Sequence, residues 1–368
     1  MTPPAIPPLL KALRDPETLK DLSPADWASL IRQARHANLL GRIADSVFAR
    51  GLAPAIPAPA CAHLQAELTL VAAQRASVRR EIAFIEKALA DLETPIILLK
   101  GAAYLQADLP AAAGRTFSDI DILVPPERLC EVESALLLAG WQTTHLDPYD
   151  QRYYREWMHE LPPLQHIRRH SVLDVHHTIL PLTARLKPDA KLLRQDAQAL
   201  PEHARLQILS PPDMVLHSMT HLFHNEEFSH GLRDLSDLDC LLRHFSAGPD
   251  FWEALLRRAG RLTLTRPLYY GLRYTHALLG TPVPAETLAE IAALAAPPTW
   301  LSGIMDALWF GVLCPRHPQA TRRWMPSPAF LLYLRSHWFK MPWRRLLPHL
   351  AHKALRQPKK QPQKKPEA

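Results

Sequence analysis

Two aspartates one residue apart, Asp119 and Asp121, are the residues best suited by type and spacing to do chemistry. They lie in Ser118 to Val124, where polar and apolar residues alternate until Pro125-Pro126 stops the run. That alternation predicts a strand. In a strand, residues i and i+2 face the same way, about 6.5–7 Å apart at Cα. Asp119 and Asp121 then project together, while Ile120 and Ile122 pack into the core. Two carboxylates held that close repel unless a cation sits between them. Hard oxygen ligands of this kind suit Mg²⁺ or Mn²⁺, which keep waters and complete their coordination with substrate phosphates. A second strand is expected at Val172-Leu173-Asp174-Val175-His176, with Asp174 and His176 on one side and Leu173 and Val175 in the core. A third carboxylate on an adjacent strand would complete a two-metal site, one ion activating a hydroxyl and the other stabilising the leaving oxygen. The bland reading of Asp-x-Asp is surface charge on a strand edge. The apolar flanks, a Lys100-Gly101 turn fewer than 20 residues upstream and Asp174 downstream weigh against it.

The elements that must hold these groups are legible in outline. Residues 1–92 read as helical, with Leu30, Ile31, Ala34 and Leu39 at helical spacing and a proline-rich break from Pro54 to Pro59. A long helix follows, from about Ala60 to Leu92. Ile96-Ile97-Leu98-Leu99 predicts a buried strand closed by Lys100-Gly101, with one or two helical turns over Ala102 to Ala107. Pro126 to Gly140 reads as a helix stopped by its glycine, and Trp141 to His145 as a further strand. From Pro212 to about Leu350 the chain returns to helices: one to His224 with Asp213 as its cap, then Leu232 to Phe245, Asp250 to Gly280 and Ala285 to Leu313.

Three segments together carry a resemblance. They are Leu99-Lys100-Gly101-Ala102-Ala103, Arg115-Thr116-Phe117-Ser118-Asp119-Ile120-Asp121-Ile122-Leu123-Val124, and Leu173-Asp174-Val175-His176. This pattern resembles the uncharacterised nucleotidyltransferase family of bacteria, within the DNA-polymerase-β-like superfamily. The resemblance covers most of residues 20–250. It implies an α+β fold, a small mixed β-sheet nucleotidyltransferase core flanked by helical N-terminal and C-terminal regions. It also implies transfer of a nucleoside monophosphate from a nucleoside triphosphate, with Mg²⁺. By position, Asp119 and Asp121 would bind metal, and Asp174 would be the third carboxylate, as ligand or general base. Gly101 would let the backbone approach phosphate, and Lys100 and Arg115 would neutralise the triphosphate. The superfamily's usual turn is Gly-Ser; here Ala102 follows Gly101, and Ser118 or backbone N–H groups would have to substitute. The same reading divides the chain at 1–92, 93–180 for the core, 181–350, and a basic tail at 351–368 expected to be disordered. The alternative from another class is a catalytically idle nucleotide-sensing or scaffold protein with the same fold.

Composition bounds the partners. The net charge of +7 is concentrated: residues 335–368 hold ten Lys or Arg and one Glu, so the remainder has 33 basic against 35 acidic residues. That argues against a broad nucleic-acid-binding face and leaves weak contact of the tail with an anionic surface. The acceptor stays open among a small molecule, a protein and tRNA. Cys61, Cys130, Cys240 and Cys314 are far apart and read as reduced thiols. With no visible secretory signal and no long apolar run, the expected compartment is the cytoplasm. His217, His221 and His224 share one helical face. No glutamate follows His217, so a polar face lining a cleft, or meeting Asp234 and Asp237, is preferred to zinc. His176 and His177 orient Asp174 or the acceptor, or are structural. Arg168 and Arg169 read as solvated loop charge. Trp338, Phe339, Met341 and Trp343, interleaved with Lys340, Arg344 and Arg345, read as a terminal helix packed on the body; an anionic membrane or nucleic acid is the other reading.

Overall fold

The computed structural model describes residues 7–201, 203, 205–315, 327–342 and 344–346. The N-terminal helices are α1 (Pro8–Arg14), α2 (Pro24–His36), α3 (Leu40–Ala49) and the long α4 (Ala58–Ala88). α1 and α2 begin on a proline and α4 has Pro59 at its second position, where the missing N–H costs nothing in a first turn. Strand β1 (Ile96–Leu99) leads into α5 (Lys100–Gln106), then β2 (Ile120–Leu123), α6 (Leu129–Leu138), β3 (Trp141–Thr143) and α7 (Pro148–Trp157). Then come β4 (Leu164–His166), β5 (Val172–His176), α8 (Ala190–Gln195), β6 (Gln198–Ala199) and β7 (Leu206–Ile208). Seven helices complete the described chain: α9 (Pro211–His224), α10 (Gly231–Phe245), α11 (Phe251–Arg261), α12 (Thr265–Leu279), α13 (Ala285–Ala295), α14 (Thr299–Leu313) and α15 (Pro328–Lys340).

All seven strands join one mixed sheet in the order β3-β4-β5-β2-β1-β7-β6. The chain is therefore α+β, with helical regions on either side of the sheet in sequence. β1 runs antiparallel to β2, whereas β2 and β5 are parallel. β1 and β2 are buried on both faces, so their short runs carry almost no polar residue but Asp121. One continuous apolar core reaches from Leu9 to Leu332.

Several helical expectations shift. The run from Asp250 to Gly280 is two helices, parted where Thr263 takes a left-handed φ of 57°. Ala285 to Leu313 is parted at Pro297-Pro298 into α13 and α14, because proline cannot donate to the preceding turn. Ser210, not Asp213, occupies the N-cap position of α9; Asp213 lies in the first turn, fully buried, and accepts Arg258 Nε at 2.6 Å and Nη2 at 2.7 Å. Arg169 is not solvated loop charge: its guanidinium forms a fork with Glu81 at 2.8 Å and lies 4.4 Å from the Phe84 ring centre. Among the described residues no single helix is long and apolar enough to cross a membrane, although α13 and α14 pass as a pair bent by 113°. The end of α15 packs inward through Phe339, with Arg335 over its ring and His224 at its edge. Trp343 and the tail at 351–368 lie outside the described residues.

Candidate active site

The strand pairing sets the geometry. Asp121 on β2 is directly paired with Asp174 on β5, and with Leu99, the last residue of β1, on its other side. Paired residues on parallel strands face the same way, about 4.8 Å apart at Cα. The two carboxylates therefore emerge on one face. Asp119 sits just before β2, exposed, with Ser118 Oγ donating to its Oδ1 at 2.8 Å.

Lys100 follows Leu99 with a left-handed φ of 46°, a conformation that a side chain disfavours. Such residues cluster at functional sites. The turn sends the chain at once into α5, and Lys100 Nζ donates to Asp121 Oδ1 at 2.9 Å. His176 Nε2–H donates to the same oxygen at 2.9 Å. Burial alone would raise the Asp121 carboxyl, but Lys100 and His176 outweigh it and hold it well below the usual carboxylate range. Asp174 has no such partner. Its Oδ1 is buried without a hydrogen bond. Burial, then the charges of Asp121 and Glu160, push its carboxyl up to about 7. A buried carboxylate oxygen lacking a donor, beside a second carboxylate, is the setting that a divalent cation relieves. Asp121 and Asp174 thus offer the oxygen donors that Mg²⁺ or Mn²⁺ takes, although the ligand atoms of Asp119, Asp121 and Asp174 do not all fall within 4.8 Å of one another.

Gly101 and Arg115 are linked to each other. A Cβ on Gly101 would stand 2.2 Å from Arg115 Nη1 and 2.8 Å from its Cζ. A side chain at this position would have to displace that guanidinium. Arg115 is itself buried, and its Nε donates to Asp237 Oδ2 at 2.9 Å. Arg42 Nη2 donates to the other oxygen of Asp237 at 2.7 Å. Burial opposes the charge on Arg115, but Asp237 keeps it protonated. Ala102 is buried at 2%, with no hydroxyl to offer.

Two cavities meet at this point. The larger, of about 760 Å³, is lined by Asp119, Asp121 and Asp174 and walled by Tyr149, Tyr153 and Tyr154 of α7. The smaller, of about 290 Å³, is lined by Lys100, Gly101, Arg115 and Ser118 and shares Asp119 and Asp121 with the first. All seven residues singled out by sequence thus border one or both cavities. His221 borders both and His224 the larger, while burial and then neighbouring cations hold both imidazoles neutral. Sequence reasoning missed His159, Glu160 and the Asp237–Arg42 pairing. Local pattern gave little signal for Asp237, since of the residues one turn away on its helix face only Leu241 is a buried apolar side chain.

One comparison gives a class. The family described as uncharacterised nucleotidyltransferase matches residues 23–280. No curated protein matches the chain. The solution structure of the antibiotic-resistance factor ANT(2'')-Ia shows 16% identity at a TM-score of 0.33, covering 55% of this chain and 98% of its own. That likeness is too loose to carry an argument.

Proposed function

Because the chain belongs to the uncharacterised nucleotidyltransferase family, we propose that it transfers a nucleoside monophosphate from a nucleoside triphosphate to a hydroxyl acceptor. Asp119, Asp121 and Asp174 would hold Mg²⁺ or Mn²⁺. The observation that carries this reading is the pairing of Asp121 with Asp174, whose buried Oδ1 lacks a donor. Bound there, divalent cations would neutralise the triphosphate and favour the ionised acceptor oxygen. Lys100, Arg115 and Ser118 would meet the phosphates from the smaller cavity, and the tyrosine wall of α7 would receive the acceptor in the larger one. The acceptor oxygen attacks the α-phosphorus, the bond to the β-phosphate oxygen breaks, and pyrophosphate leaves. Asp174, the third carboxylate, would serve as a ligand or take the hydroxyl proton. In this reading 93–180 carries most of the catalytic groups, 181–350 closes the cavities around it, and 1–92 supplies Arg42 behind Asp237.

One observation favours a second reading, nucleotide sensing without transfer. Lys100 and His176 both occupy Asp121 Oδ1, so a cation must compete with them. Incubating the protein with Mg²⁺, each α-labelled nucleotide and cell extract separates the two. Transfer predicts label on an acceptor with wild type and not with Asp119→Ala. Magnesium-dependent binding without pyrophosphate release supports sensing.

A further inference from the structure

A second set of ligand atoms converges beside the aspartates. Glu160 Oε2 lies 3.4 Å from His176 Nδ1 and 3.8 Å from His159 Nε2. The three residues offer ligand atoms that all fall within 4.8 Å of one another, and among the described residues no other group of three does so. A tetrahedron with bonds of about 2.0–2.1 Å has edges of about 3.3–3.4 Å. Two of the three separations approach that value.

The hydrogen bonding around His176 points the same way. The residue is 2% exposed, and its Nδ1 is buried without a hydrogen bond. Its Nε2–H is committed to Asp121. The remaining nitrogen faces the Glu160 carboxylate, a buried pair that calls for a positive charge between its members. A proton would serve, but 3.4 Å is longer than the about 2.7–2.9 Å of a charge-assisted hydrogen bond. The spacing suits an ion bound by both. The backbone holds the ligands in place: Glu160 is bridged to His176, Leu161 N–H donates to Val175 O and His177 N–H to His159 O, both at 2.9 Å.

We propose that His159, Glu160 and His176 bind a borderline divalent cation of the Zn²⁺ type, separate from the hard-cation site at the aspartates, with a coordination position open to the larger cavity that all three line. Two imidazoles and one carboxylate select Zn²⁺ over Mg²⁺, which takes oxygen. The ion on Nδ1 and Asp121 on Nε2–H make a carboxylate–histidine–metal chain. His176 thereby positions Asp121 through an ion that Asp121 does not touch. The inference stands whether or not the protein transfers nucleotides.

The test is metal analysis of the chelator-stripped full chain after equilibration with Zn²⁺ in excess Mg²⁺ and no nucleotide. Wild type should retain one equivalent. Glu160→Gln and His159→Ala should bind at least tenfold more weakly, and Asp119→Asn should bind as wild type does. Retention of zinc by the first two variants, or its loss from Asp119→Asn, overturns the assignment. Co²⁺ added to wild type gives a reading that needs no variant. Intense visible absorption supports a nitrogen-containing site of low coordination number, and the faint colour of a six-oxygen site contradicts it.

Discussion

Asp121 and Asp174 face each other across parallel strands, yet their surroundings drive their carboxyl groups apart: Asp121 is held ionised by Lys100 and His176, while Asp174 rises to about 7. A carboxyl raised on folding contributes nothing below its unfolded value near 4. Its ionisation then opposes folding increasingly as pH climbs, in full once pH exceeds about 7. Asp174→Asn should therefore raise stability at pH 8 without divalent cations, by about 1–3 kcal/mol. Denaturant titration at pH 5 and pH 8 checks this, the gain being small at pH 5. The same substitution should abolish nucleotidyl transfer.

Gly101→Ala should destabilise the protein by about 1–3 kcal/mol, because its Cβ would overlap Arg115 Nη1 and the buried guanidinium has little room to retreat. Urea unfolding measures this directly. A variant as stable as wild type would mean that Arg115 is free to move.

Asp237→Ala should cost about 3–5 kcal/mol, since it strands two buried guanidiniums, Arg42 and Arg115, at once. Asp237→Asn should cost less. Unfolding curves for the pair test whether Asp237 holds the wall of the smaller cavity. Losses under 1 kcal/mol in both would deny it that role.

The sequence made the central strands legible because β1, β2 and β5 are unbroken or alternating apolar runs that only a buried sheet accommodates. β4, β6 and β7 are two or three residues long, too short for any period to register. α7 escaped because Tyr149 to Trp157 is aromatic and charged with no buried stripe; it walls a cavity instead of entering the core. The break between α11 and α12 is signalled only by its flanks, Gly260 in the last turn of α11 and Pro267 in the first turn of α12, and neither lies in the break itself. Spacing together with the flanking motif brought out Asp119 and Asp121 as candidates, and a shorter strand pattern Asp174. His159 and Glu160 come from a loop that joins the site only through its antiparallel register with β5, and register is set by packing that no local pattern encodes. Lys100 and Arg115 were visible as cations, but their partners, Asp121 and Asp237, are 21 and 122 residues away.

The most direct measurement is anomalous scattering from Mn²⁺ in crystals grown with a non-hydrolysable nucleoside triphosphate. The account predicts manganese within about 2.0–2.2 Å of carboxylate oxygens of Asp119, Asp121 and Asp174, with the triphosphate running toward Lys100 and Arg115. Manganese absent from those aspartates, with the triphosphate bound elsewhere, would contradict it.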